Sequence, residues 1–145
     1  MTANTWKAGA VAGFVMNLFG WIGNQVLLGR LWREAIRVSL PGRQRGMLNE
    51  IVSLAPDFVY GFALAWLIVV LFKAGESRRV ATAKASLLIW SVGAMTTYAG
   101  IWNTGWLPGT LVGAGIALAA LVIFPAAWLA SGMLLRRDHA TATAV

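Results

Sequence analysis

The chain has 145 residues, 59% of them hydrophobic and only 12% charged, with a net charge of +7 and a mean hydropathy of +0.70. A soluble domain typically carries about 25% charged residues, so this composition argues for a helical membrane protein in one domain, 1–145. No cysteine is present, which excludes disulfides and thiolate chemistry. The single histidine, His139, excludes a bis-histidine haem site within one chain. No metal site and no cofactor are expected. The basic residues flank apolar runs, as membrane proteins keep them, so nucleic acid is not an expected partner.

Four apolar runs, at about 6–28, 51–72, 81–102 and 111–135, each approach or exceed the roughly 20 residues that a helix needs to cross about 30 Å of hydrocarbon. Strand alternation is absent. The expected fold is all-α: an antiparallel bundle of four transmembrane helices, with a short basic interfacial helix between the first two. The first run begins after Lys7, but no small-x-small cleavage site follows it, so it reads as a retained helix rather than a signal peptide.

Within that run Gly9, Gly13, Asn17, Gly20 and Asn24 recur at spacings of four, four, three and four, and so share a helix face. Small residues let helices approach, and an amide can hydrogen-bond across the contact. The stripe therefore reads first as helix packing, and secondarily as a dimer seam or a substrate path.

At "GNQVLLGRLWREAIRVS" the character changes. Leu28, Leu31, Trp32, Ala35 and Val38 follow a helical period. Arg30, Arg33, Glu34 and Arg37 take the other face, with Glu34 spaced to pair with Arg30 or Arg37. The interfacial segment, about 29–50, is expected to lie with its arginines toward anionic lipid phosphates. The competing reading is that it docks on a neighbouring helix.

The next run opens with "SLAPDF". Pro56 suits a first helical turn and Asp57 complements a positive helix end, so a helix start near Ala55 is expected. Asp57 is either an ordinary helix-start residue or, as an ionisable group just inside a span, a functional one. "KAGESRRVATAK" is a short basic loop, and "NTGWLPGT" an uncharged turn. The last run carries Gly109, Gly113 and Ala117 at spacings of four, a second packing stripe, with Pro125 inside it. The tail 136–145 reads as frayed. No internal repeat is evident.

Antiparallel packing of four helices would gather Asn24, Gln25, Asp57, Tyr60, Thr96, Thr97, Tyr98, Trp102, Asn103 and Trp106 at one level. Asn24, Gln25, Asp57, Tyr60, Tyr98, Trp102 and Asn103 are the candidate ligand-binding residues. Asp57 is expected to pair with an arginine from 30–45, with Asn24 and Tyr60 donating hydrogen bonds to it. No nucleophile–base constellation can be assembled, and Glu50 with Asp57 is weak evidence for one, so an enzyme is not expected.

Lys7, Lys73, Arg78, Arg79, Lys84, Arg136 and Arg137 would share the side of the termini. Arg30, Arg33, Arg37, Arg43 and Arg45 would take the other. The slight excess places both termini in the cytoplasm, and the small margin also permits dual insertion.

"GAVAGFVMNLFGWIGNQVLLGRLW", "FVYGFALAWLIVV", "ATAKASLLIW" and "PAAWLASGMLLRR" together resemble an uncharacterised family of small bacterial four-span membrane proteins. The resemblance implies an inner-membrane location and no established activity. The acidic residue deep in the first span that marks small multidrug transporters is missing. The expected role is that of an accessory, scaffold or lipid-binding subunit. The alternative is an oligomeric transporter or channel with its path near Asp57. Membrane lipids, a second copy of the chain or another membrane protein are the expected partners.

Overall fold

The computed structural model describes residues 2–39, 47–105 and 107–135, and all of its regular structure is helical. Helix α1, Ala3–Ile22, is capped by the Thr2 hydroxyl, which accepts from Thr5 N–H. It runs into a π segment, Gly23–Leu27, and bends at Leu28 (φ −104°, ψ −3°) into α2, Gly29–Ser39. Helix α3 is Met47–Lys73. A rod spanning 78–103 follows, made of α4 (Arg78–Ile89), a second π segment (Trp90–Met95) and α5 (Thr96–Asn103). Helix α6 is Gly109–Leu135.

Three of these helices are long and apolar enough to cross a membrane: Ala3–Leu27, Leu54–Lys73 and Gly109–Leu134. Rod 78–103 is not among them. Its apolar residues are interspersed with Thr82, Lys84, Ser86, Ser91, Thr96 and Thr97. Phe14, Phe19, Trp66, Leu121, Trp128 and Leu129 all point outward and are exposed. So broad an apolar exterior far exceeds the isolated patches of a soluble monomer.

Two close contacts set the packing. Against α1, residues Gly9, Gly13 and Asn17 meet Phe62, Phe58 and Leu54 of α3 in descending order, so the two helices run antiparallel. A Cβ on Gly9 would stand 2.9 Å from the Cα of Phe62, and one on Gly13 would stand 2.8 Å from the Cα of Phe58. From the other side, a Cβ on Gly61 would lie 2.5 Å from the Gly9 carbonyl oxygen. Glycine faces glycine here, and the backbones touch. Asn17 Nδ2 then donates to the carbonyls of Gly13 (3.1 Å) and Leu54 (3.2 Å), tying α1 to α3.

Rod 78–103 runs antiparallel to α6. Arg78 Nε donates to Ser131 Oγ (3.3 Å), Trp90 Nε1 to the Ile116 carbonyl (3.0 Å), and Tyr98 packs on Gly115. The Arg78 guanidinium also stands over the Trp128 ring, 5.8 Å from its centroid, a cation–π contact. The turn from α3 into α4 closes with Glu76 N–H to Leu71 O and Gly75 N–H to Phe72 O. Gly75 takes φ +94° there, the left-handed position that glycine fills without strain. Ala8, Ala12, Met16, Leu64, Ile68, Ala85, Leu111 and Ala126 form the centre of the core.

Several expectations need correction. Helix α3 does not start near Ala55. It is already helical at Met47, so Pro56 lies inside it, where the ring removes the hydrogen bond to the residue 52 carbonyl. Of the segment 29–50, residues 29–39 form the short basic helix α2, and α3 begins at Met47. Leu28 and Ala35 are buried in the core cluster, with Leu31 and Trp32 packed against it, so α2 docks on the body of the protein. Val38, expected on the apolar face, is exposed. Arg30 pairs with Glu34 at 3.1 Å, and both are exposed. Arg43, Arg45, Trp106, His139 and the tail 136–145 lie outside the described residues.

Candidate functional site

A cavity of about 670 Å³ opens where α1 gives way to α2 and where the span of α3 begins. Each neighbouring element contributes to its wall. From α1 come Met16, Asn17, Gly20 and Trp21, and from the first π segment Asn24 and Gln25. Helix α2 adds Gly29, Trp32, Arg33 and Ile36. Helix α3 adds Leu54, Pro56, Asp57 and Tyr60. The second π segment supplies Gly93 and Ala94, α5 supplies Thr97 and Tyr98, and α6 supplies Gly115, Leu118, Ala119, Val122 and Ile123.

The two π segments belong to different helices, yet both border this cavity. A π turn inserts one residue into a helix, loosens its hydrogen bonding and occurs disproportionately at functional sites. In the second segment Gly93 and Ala94 border the cavity together with Thr97 and Tyr98, three to four residues further along the rod.

Glycines of neighbouring helices seat the large side chains of the wall. A Cβ on Gly93 would lie 3.0 Å from the Tyr60 ring, and one on Gly115 would lie 2.5 Å from the Tyr98 ring. Leu118 occupies the notch left by Gly23. Each phenol is thereby fixed at the cavity by the absence of a side chain opposite it.

The amide of Asn24 has a structural task. Its Nδ2 donates to the Gly20 carbonyl (2.8 Å), and its Oδ1 accepts from Trp32 Nε1 (2.8 Å). The same side chain thereby ties the end of α1 to α2 through Trp32. Gln25 is exposed at the cavity edge.

Among the described residues Asp57 forms no ion pair, and neither Asn24 nor Tyr60 donates a hydrogen bond to it; of the arginines expected to pair with it, Arg43 and Arg45 lie outside the described residues. The hydrogen bonds of Asn24 go to Gly20 and Trp32 instead. Asp57 is half-buried and lies within the Leu54–Lys73 span, with its backbone carbonyl against Gly13.

The remaining candidates separate by position. Asn24, Gln25, Asp57, Tyr60 and Tyr98 share the cavity. Trp102 and Asn103 do not: both are exposed, and the Trp102 indole faces the start of α6, 3.7 Å from where a Cβ of Gly109 would stand. Of the arginines expected at lipid phosphates, Arg33 borders the cavity, while Arg30 and Arg37 point outward. Of the packing stripes, Gly9 and Gly13 make backbone contacts. Gly20 lines the cavity and Gly113 is exposed, and a Cβ on either would meet nothing within 4 Å. Gly61, Gly93 and Gly115 were not singled out from the sequence. Their signal was available only as isolated glycines inside apolar helices, which usually mark a packing reason. Trp32, on the apolar face that the helical period predicts, bonds Asn24.

Among the described residues, no group of three or more histidine, aspartate or glutamate side chains is placed to hold a metal ion. Compared with family models, curated proteins and solved structures, the chain matches none.

Proposed function

We propose that this is an integral membrane protein that binds one amphipathic, lipid-like molecule in the cavity, as an accessory or lipid-binding subunit rather than as an enzyme. One observation carries the reading. The cavity combines apolar lining from Met16, Leu118, Val122 and Ile123 with polar lining from Asn17, Asp57, Tyr60, Thr97 and Tyr98. Small-molecule sites combine predominantly apolar linings with a few placed polar groups, at volumes of about 300–1,000 Å³. A molecule with a tail and a head group matches that combination.

On this reading rod 78–103 also crosses the bilayer. It packs along α6 and α3, and its polar side chains turn to helix carbonyls: Thr82 to Arg78, Ser86 to Thr82 and Thr97 to Gly93. Hydroxyls bonded in this way are compatible with hydrocarbon. The result is a four-span antiparallel bundle in a bacterial inner membrane, with both termini cytoplasmic and with Arg30 and Arg37 offered to anionic head groups. The family resemblance of the sequence belongs to the same reading. A reporter fused after Val145 is expected to be active only in its cytoplasmic form. Activity only from a periplasmic reporter refutes the orientation, and activity from both indicates dual insertion.

The binding reading is tested by purifying the protein in mild detergent, exchanging it exhaustively and extracting what remains. About one lipid-like molecule per chain is expected to persist. A chain that retains none, and yet carries solute or ion flux in proteoliposomes, would favour the transporter alternative, which draws on an ionisable residue inside a span.

A further inference from the structure

The cavity is not electrically uniform. A carboxylate, Asp57, and a guanidinium, Arg33, both border it. Asp57 lies within the α3 span, and Arg33 is an exposed residue of α2 at the rim. Aromatic side chains Trp21, Trp32, Tyr60 and Tyr98 line the same space. The Trp32 N–H is committed to Asn24, so what that side chain can offer a ligand is its ring. We propose that the cavity selects phospholipids whose zwitterionic head group carries a primary ammonium, with the ammonium at Asp57 and the phosphate at Arg33. This rests on the lipid-binding reading above.

The chemistry follows from the groups present. A primary ammonium has three N–H donors. The carboxylate of Asp57 and the hydroxyl oxygens of Tyr60 and Tyr98 are acceptors on the same cavity. Charge-assisted bonds to a carboxylate are the strong members of their class, and the aromatic faces attract a cation further. A quaternary ammonium has no N–H and can use only the rings and the charge. An anionic head group lacking a cation would bring its phosphate toward the Asp57 carboxylate, with repulsion in a weakly screened site. Arg33, at the rim, suits a phosphate because its planar fork matches two oxygens at once. Arg30, one turn away, is already paired with Glu34. The same cavity carries Leu118, Val122 and Ile123 of α6, against which an acyl chain would lie.

The test is native mass spectrometry of the full chain released from nanodiscs that contain equal amounts of phosphatidylethanolamine, phosphatidylcholine and phosphatidylglycerol. The wild-type chain is expected to retain the ethanolamine lipid over both others. Asp57→Asn is expected to reduce that preference about tenfold, the scale of one charge-assisted hydrogen bond. Tyr60→Phe keeps the ring on Gly93 and removes only the hydroxyl. It provides a second reading should Asp57→Asn fail to fold, and a smaller loss of the same preference is expected. Preference for the choline or glycerol lipid, equal retention of all three, or an ethanolamine preference unchanged in both variants overturns the head-group assignment and leaves lipid binding standing. A wild-type chain that retains no lipid of any class overturns the lipid-binding reading, and the assignment falls with it.

Discussion

Gly61→Val destabilises the protein by about 3 kcal/mol or more, the upper range for forcing extra methyl groups into a packed contact. The reason is what a side chain would meet. A Cβ at Gly61 stands 2.5 Å from the Gly9 carbonyl oxygen and 2.8 Å from the Gly13 Cα, both of them backbone. Backbone cannot swing aside as a flexible side chain can, so α1 and α3 must separate. Separation also breaks the bond from Asn17 to Leu54. Domains of ordinary stability hold about 5–15 kcal/mol in total, so a loss of this size shows as a large drop in thermal midpoint. Gly113→Val is the matched control: Gly113 is also a helical glycine, in α6, but a Cβ there meets nothing within 4 Å. Thermal unfolding of the two variants in the same detergent measures the difference. Equal shifts would mean that the α1–α3 contact does not hold the bundle.

The second large effect concerns the cavity rather than stability. Gly20 lines it, and a Cβ there meets nothing within 4 Å. Gly20→Trp places a large ring in the open space. Glycine is a poor helix residue, by about 1 kcal/mol relative to alanine, so the substitution also gains some helix propensity. The expected outcome is an unchanged or slightly raised thermal midpoint together with a loss of retained lipid of about tenfold or more, equivalent to about 1.4 kcal/mol. Loss of both stability and lipid would mean that the ring had disrupted packing instead. Full lipid retention would place the bound molecule outside the cavity.

The contrast between these two glycines shows what the sequence could convey. Gly9, Gly13, Asn17, Gly20 and Asn24 lie on one face by spacing alone, and the spacing is sound: four of them face α3 or the cavity it borders, and Asn24 lines that cavity. Spacing could not say which of them touches backbone and which faces open space, because that depends on where α3 diverges from α1. The apolar runs delimited the rods well, since hydrophobic length is a composition property. The start of α3 was hidden because Pro56 and Asp57 carry the same local signal at a helix start as they do inside a longer helix. The π segments left no mark, since one inserted residue changes neither composition nor mean hydropathy. The level of a residue along a rod was legible, and so Trp102 and Asn103 were grouped with Tyr98. The angular position was not, and Trp102 packs at the start of α6 instead. Asn24 was rightly marked as unusual, but its partner Trp32 lies beyond the bend at Leu28, and no periodicity extends through a bend.

The most direct measurement is residue-resolved photocrosslinking with a phospholipid that carries a diazirine midway along one acyl chain, applied to the protein in a bilayer. An acyl chain in the cavity is predicted to label Met16, Leu118, Val122 and Ile123, which line it, and the labelling should disappear in Gly20→Trp. Labelling confined to outward residues such as Phe14, Leu121 and Trp128, with these inner positions unmodified and no change in the variant, would contradict the claim that the cavity holds a lipid.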